Sequence, residues 1–129
     1  MKELRDWQKQ HPHTSALLER CAGAIWQIVP DAEVILYGSV ARGDDHPESD
    51  IDLLVLVKHA VTPALRREIR GRIYEAALES DEVITSIIRQ RALWHSEPLN
   101  CTPLYEAIEN DGVILCGKAS TAYTGLAGQ

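Results

Sequence analysis

The stretch from Gly38 to Val57, GSVARGDDHPESDIDLLVLV, decides the fold. It ends in an apolar run rich in Leu and Val, which is typical of a buried strand. Asp50 and Asp52 stand two apart at the start of this run, so both side chains should leave the same face of the sheet. Their Cα atoms are expected about 6 to 7 Å apart. Two carboxylates this close repel each other unless a cation lies between them or one takes a proton. A hard divalent cation such as Mg²⁺ suits this pair together with phosphate oxygens.

Gly38 and Ser39 directly follow a shorter apolar segment, EVILY, which predicts a strand over 33–37. A glycine lets the backbone approach a ligand closely or take an unusual turn. Ser39 can begin a short helical turn whose free N–H groups bind an anion, and its hydroxyl adds a donor. Arg42 can reach a phosphate, or it can pair with one of the acids that follow it: Asp44, Asp45 or Glu48. A phosphate-binding turn beside a metal-binding carboxylate pair is the equipment for phosphoryl or nucleotidyl transfer.

Each pattern is weak on its own. A D-x-D pattern also arises from polar alternation on a half-exposed strand, and Gly-Ser is common in ordinary turns. Their combination favours a functional site, because Gly-Ser ends one strand and D-x-D opens the next. Glycoside hydrolysis also uses two carboxylates, but it needs them on opposite sides of a sugar, which neighbours on one strand face do not allow.

Helices and strands surround this stretch in an order that predicts the fold class. The predicted elements are a helix over 14–29, strands over 33–37 and 49–57, a helix from Thr62–Pro63 to about Leu78, a strand over 82–88, a helix from Pro103 to near Asp111, and 113–116 as a short strand or an extended edge. The loop between the first two strands is too short for the crossover that parallel neighbours need, so these strands should be antiparallel or splayed. We expect an α/β (α+β) fold: a mixed β-sheet of three to four strands with helices packed on one face.

Length and charge limit the classes of protein. The 129 residues give room for one domain, which we divide into a polar N-terminal segment 1–13, a domain 14–116 and a loosely held tail 117–129. The net charge of −6 opposes general nucleic-acid binding. No apolar run approaches the roughly 18 residues that cross a bilayer, and the N-terminus lacks a signal peptide's apolar core. We therefore expect no membrane partner and a cytoplasmic location. The histidines and cysteines lack the spacing of a zinc site.

Gly38-Ser39, ten intervening residues and then Asp50-x-Asp52 resemble the signature of the nucleotidyltransferase superfamily that includes DNA polymerase β. The fuller string GSVARGDDHPESDIDLLV is similar to the small stand-alone bacterial and archaeal members, the minimal nucleotidyltransferases. The resemblance implies the nucleotidyltransferase fold, with Gly38 and Ser39 holding a triphosphate, and Asp50 and Asp52 binding Mg²⁺ or Mn²⁺. It also implies transfer of a nucleoside monophosphate, usually AMP from ATP, to a hydroxyl, with pyrophosphate leaving. Several minimal members work beside a HEPN-domain toxin, and some inactivate it by adding AMP to a tyrosine.

Active members of this superfamily carry a third carboxylate on a later strand. Here that strand reads SDEVITSIIRQ, and Glu82 is the better placed candidate, with Asp81 as the alternative. Either acid could instead be a plain loop residue. In that case the chain would act as a nucleotide-binding antitoxin or regulatory module, through complex formation, with weak or no turnover. A homo-oligomer also stays open.

Other polar residues have ordinary interpretations. Four arginines on the helix after Pro63 are expected to pair with Glu68 and Glu75, with an acceptor-binding or partner-binding strip as the alternative: Arg66, Arg67, Arg70 and Arg72. Trp94 and His95 are expected to pack in the core or at its rim rather than to stack on a base. Thr85 and Ser86 are expected to be strand residues, because no His-Asp pair stands ready to activate them as nucleophiles.

Overall fold

The computed structural model describes residues 1–44 and 49–115, which form a five-stranded mixed sheet with helices. The elements are β1 Lys2–Glu3, α1 Leu4–Gln8, α2 Pro12–Ile28, β2 Glu33–Tyr37, α3 Ser39–Arg42, β3 Ile51–Val57, α4 Pro63–Ala77, β4 Ile84–Gln90, α5 Arg91–Trp94, a 3-10 turn Leu99–Cys101, α6 Pro103–Asp111 and β5 Val113–Leu115. The strand order across the sheet is β1-β5-β2-β3-β4. The predicted fold class is confirmed, and β1 brings the strand count above the predicted three to four.

The centre of the sheet is the β2–β3 pair, which is antiparallel as predicted, with Tyr37 opposite Asp52. β4 runs parallel to β3, so the chain must cross between them, and α4 provides that crossover. α4 begins where predicted, because the Thr62 hydroxyl accepts the Leu65 backbone N–H at 3.0 Å and Pro63 occupies the first turn. Within the described residues, β4 is an edge of the sheet.

The larger core lies between one face of the sheet and helices α2 and α4. Its buried side chains include Leu18, Cys21, Ile25, Ile69, Leu36, Leu53 and Val55. On α2 these residues recur at helical spacing, so the helix presents one apolar stripe to the sheet. On β3 they alternate, so every second side chain of the strand enters this core.

A second, smaller core covers the opposite face of the sheet, whereas helices are predicted from the sequence on one face only. Leu54 and Leu56 of β3 pack there with Ile35, Trp94 and Ile108, and the last two residues come from α5 and α6. β3 is apolar at consecutive positions, so each of its faces needs cover from water. Trp94 is 2% exposed, which agrees with its predicted packing role.

The N-terminal region differs from the polar segment that its composition predicted. α2 begins at Pro12 rather than near Thr14, and a short helix precedes it. Leu4 and Trp7 of that helix are buried. The Trp7 indole N–H donates to the Ala41 carbonyl at 3.2 Å, so this region supports α3. One indole in a polar stretch gives no periodic signal, which is why the sequence did not predict the contact.

The elements predicted in the second half of the chain lie at or near their expected positions. β4 begins at Ile84, two residues later than predicted, whereas α6 and β5 lie where they were expected. The predicted tail 117–129, together with Cys116, lies outside the described residues. Among the described helices, none combines the length and apolar character needed to cross a membrane.

Candidate active site

Gly38 joins β2 to α3 in a conformation that favours glycine. Its φ of 85° and ψ of −162° fall in a region that other residues rarely adopt. A β-carbon at this position would also collide with the Asp52 Oδ2 oxygen. The turn therefore brings the backbone against the carboxylate, an approach that a glycine alone permits without displacement. This contact joins the two halves of the sequence pattern in space.

α3 follows as the short helical turn that the sequence predicted. Ser39 is its first residue, and the Arg42 backbone N–H donates to the Gly38 carbonyl at 3.1 Å. Gly43 then closes the turn with a φ of 81°, and its N–H donates to the Ser39 carbonyl at 3.0 Å. Val40 and Ala41 are buried, which anchors the turn to the larger core.

Asp52 lies in the middle of a row of three side chains on one face of the sheet. Tyr37 of β2 and Thr85 of β4 are its register partners. The Thr85 hydroxyl donates to Asp52 Oδ1 at 2.6 Å. The Asp52 side chain is half-buried. Its Oδ1 accepts the hydrogen bond from Thr85, and its Oδ2 faces Gly38.

Burial and the neighbouring Asp52 carboxylate both change the pKa of Tyr37. Burial raises the pKa of its phenol above the ordinary value, and the negative charge of Asp52 raises it further, while Arg89 acts in the opposite direction. The phenol therefore keeps its proton at neutral pH, and the site gains no third negative charge from it.

Asp50 and Glu82 lie outside the strands that carry Asp52 and Thr85. Asp50 is exposed and precedes β3 by one residue. Glu82 is exposed in the segment before β4, where its backbone N–H donates to the Ser80 hydroxyl at 3.3 Å. In residues 1–44 and 49–115, no three acidic, histidine or cysteine side chains come together as a metal-binding group. The structure thus does not bring Glu82, or the alternative Asp81, into one group with both predicted metal ligands.

The position next to Asp52 on β4 belongs to Thr85, which the sequence had indicated only as a strand residue. The signal that identifies it is the register of β3 against β4. That register depends on the crossover through α4 and cannot be obtained from spacing along the chain.

Comparison with known families agrees with this geometry. The family model described as nucleotidyltransferase domain matches residues 18–115. This chain belongs to the nucleotidyltransferase domain family. The matched range contains the Gly38 turn, the two aspartates and the whole of β4, so the predicted membership and the predicted class of enzyme are confirmed.

A relative and a solved structure extend the comparison. This nucleotidyltransferase is 36% identical over 80 residues to a protein of Methanocaldococcus jannaschii named "Putative protein adenylyltransferase MJ0141", covering 62% of this chain and 74% of that protein. The predicted resemblance to minimal nucleotidyltransferases is thereby confirmed. A solved structure, "Crystal structure of the toxin-antitoxin with AMP-PNP", aligns with a TM-score of 0.53 over 84% of this chain and 86% of that one. Its identity of 19% supports a shared fold alone.

The carboxylates at the two predicted ligand positions are of the chemical type that Mg²⁺ binds. Mg²⁺ is usually held by one or two carboxylates, with water and substrate phosphates completing its coordination. Asp50 and Asp52 are the residues that would hold such an ion, and the close approach of Asp52 to Gly38 sets one carboxylate beside the predicted triphosphate turn. A site that relied on three protein carboxylates would need a further acid near Asp52.

Arg42 pairs with Asp44, which is one of the partners that the sequence left open for it. Its Nε donates to Asp44 Oδ2 at 3.3 Å, and both side chains are exposed. The other two candidate acids, Asp45 and Glu48, lie outside the described residues. An exposed ion pair of this kind contributes little stability, so Arg42 can exchange Asp44 for a phosphate at low cost.

Three of the four arginines of α4 have partners other than those predicted. Arg66 donates to the Ile88 carbonyl at 3.4 Å and Arg70 to the Ser86 carbonyl at 3.3 Å, rather than to Glu68 or Glu75. Arg72 donates to Gln27 of α2 at 3.1 Å. The first two contacts cover backbone groups of the β4 edge, which limits unwanted strand pairing there.

Proposed function

We propose that this nucleotidyltransferase transfers AMP from Mg²⁺–ATP to a hydroxyl group on a partner protein. The observation that carries the proposal is the contact between Gly38 and Asp52, because it joins a backbone turn suited to phosphate with a carboxylate suited to a divalent cation. The relationship to a protein named as an adenylyltransferase supports AMP as the transferred group.

In the proposed reaction, each residue positions charge rather than forming a covalent bond. The Gly38–Ser39 turn binds the outer phosphates through backbone N–H groups and the serine hydroxyl. Asp50 and Asp52 would hold the Mg²⁺ ion, which when bound neutralises phosphate charge and orients the triphosphate. The acceptor oxygen attacks the α-phosphorus, the bond to the bridging oxygen breaks, and pyrophosphate leaves. The acceptor loses its proton, and Glu82 stays the proposed recipient.

The acceptor is proposed to be a tyrosine or similar hydroxyl of a HEPN-domain toxin. The described residues form one sheet and its helices, without a second unit to bind a large acceptor. A partner would therefore supply the acceptor. The shared fold with a solved structure described as a toxin-antitoxin with AMP-PNP supports a toxin as the partner. The cytoplasm is the proposed setting, since ATP and reduced thiols are both found there.

The test is transfer of label from α-labelled ATP to the candidate partner in the presence of Mg²⁺. We expect labelled partner with the wild-type chain and roughly a thousandfold less with Asp50→Asn plus Asp52→Asn, because metal binding contributes several kcal/mol to such reactions. A matched control is Glu19→Gln plus Glu75→Gln, which removes the same charge from exposed helical positions. Equal labelling by the wild type and the aspartate variant would refute the proposal.

A second candidate function is a binding module that acts by complex formation. Thr85, rather than an acid, occupies the position beside Asp52 on β4, and this favours weak turnover. Gel filtration separates the two functions in the same experiment. A stable complex that forms equally well without ATP, and in which no label is transferred, would support the module.

A further inference from the structure

Thr85 makes a short contact with a proposed metal ligand from an exposed position. Its hydroxyl donates to Asp52 Oδ1 at 2.6 Å, within the range of strong hydrogen bonds to ionised oxygens. Thr85 itself is exposed, so water could satisfy its hydroxyl equally well. The hydroxyl nevertheless points at Asp52, and this contact needs an explanation beyond strand formation.

The contact assigns different tasks to the two oxygens of Asp52. Oδ1 accepts from Thr85, while Oδ2 lies so close to Gly38 that a β-carbon on residue 38 would collide with it. The terminal torsion of an aspartate is broad and roughly two-fold, so an unrestrained carboxylate samples many orientations. A donor fixed on the neighbouring strand restricts that torsion and keeps Oδ2 toward the Gly38 turn.

The register leaves no other β4 residue that could act on Asp52 in this way. Neighbouring strands lie about 4.7 to 4.9 Å apart, so a direct register partner is nearer to Asp52 than a residue two positions further along β4. The direct partner of Asp52 is Thr85. The diagonal neighbour on the same face of β4 is Ile87, and Val83 immediately precedes the strand; neither side chain has a hydrogen-bonding group.

We propose that Thr85 is a positioning residue, which fixes the Asp52 carboxylate with Oδ2 toward the Gly38 turn and thereby raises the affinity for a divalent cation carrying a nucleoside triphosphate. The inference rests on the proposed function and deepens it. Groups that hydrogen-bond to metal ligands orient them, and their loss typically lowers metal affinity or activity by about 10- to 100-fold. Thr85 has this effect through Asp52 and does not itself touch the ion.

The test compares Thr85→Val, which keeps the shape of the side chain but removes the hydroxyl, with Thr85→Ser, which keeps the hydroxyl. The matched control is Ser86→Ala, because Ser86 also carries a hydroxyl on β4 but faces the other side of the sheet, opposite Leu53. The measurement is calorimetric titration of AMP-PNP into each protein with Mn²⁺ and, separately, with EDTA. Thermal melting in EDTA checks the fold of each variant.

We expect Thr85→Val to bind Mn²⁺–AMP-PNP about tenfold more weakly than wild type while its melting temperature in EDTA stays within a few degrees. Thr85→Ser should restore affinity to within about threefold of wild type, and Ser86→Ala should bind as wild type does. Wild-type affinity in Thr85→Val would overturn the positioning role and leave the proposed function intact. Absence of metal-dependent binding in the wild type would overturn both.

Discussion

Replacement of Gly38 by alanine should damage both stability and the site. A residue held in the φ and ψ region of Gly38 costs about 1 to 3 kcal/mol when it carries a β-carbon. The new methyl group would also overlap Asp52 Oδ2, so either the turn or the carboxylate must move. We therefore expect the free energy of unfolding to fall by about 2 to 4 kcal/mol. For a chain of this length that corresponds to a melting temperature lower by about 6 to 16 °C.

The assay is urea unfolding followed by circular dichroism, with Gly23→Ala as the matched control. Gly23 lies within α2, and a β-carbon there meets nothing within 4 Å. This control should gain up to about 1 kcal/mol, because alanine favours the helix more than glycine does. The double variant Gly38→Ala with Asp52→Ala separates the two costs, since it removes the overlap but keeps the backbone strain. Equal stability of the Gly38 and Gly23 variants would refute the reasoning.

Three further predictions follow from other contacts. Burial raises the pKa of the Cys21 thiol from 9.0 to about 11. The stability that this shift contributes is complete below pH 9 and is lost as the pH rises through 11, because the unfolded chain loses the thiol proton more easily than the folded one. The free energy of unfolding of Cys21→Ala, measured by urea titration, should therefore fall less steeply over this pH range. Trp94→Ala should cost about 3 to 5 kcal/mol in the same assay, because Trp94 is 2% exposed in the second core, and a loss below 1 kcal/mol would contradict that packing. Thr85→Asp should lower the melting temperature in EDTA, because the new carboxylate would lie opposite Asp52 and like charges on paired strands repel. Mn²⁺ should then raise the melting temperature of this variant more than that of the wild type. A smaller rise than in the wild type would contradict this prediction.

The elements that the sequence predicted well have strong local signals. Short apolar runs located β2 and β3, and Thr62–Pro63 located the start of α4, because these signals act within a few residues. The Gly38 turn and the pair of aspartates were predicted together for the same reason, since one short loop connects their strands. Contact between Gly38 and Asp52 followed from that connection.

The features that the sequence did not predict depend on contacts between distant segments. Trp7 supports α3 across 34 residues, and Thr85 reaches Asp52 across 33. The second core required knowledge that α5 and α6 return to the far face of the sheet. No local pattern specifies these pairings, because strand register and helix placement are set by the packing of the whole domain.

The central claim is that the Gly38 turn and the two aspartates form one site for a divalent cation and a triphosphate. A crystal structure of the protein soaked with AMP-PNP and Mn²⁺, with the metal located by anomalous scattering, tests it most directly. We expect Mn²⁺ to be coordinated by oxygens of Asp50 and Asp52, at distances close to the roughly 2.0 to 2.1 Å typical of Mg²⁺, with phosphates against the Gly38–Ser39 turn. Nucleotide bound elsewhere, or Mn²⁺ absent from both aspartates in a crystal that contains the nucleotide, would contradict it.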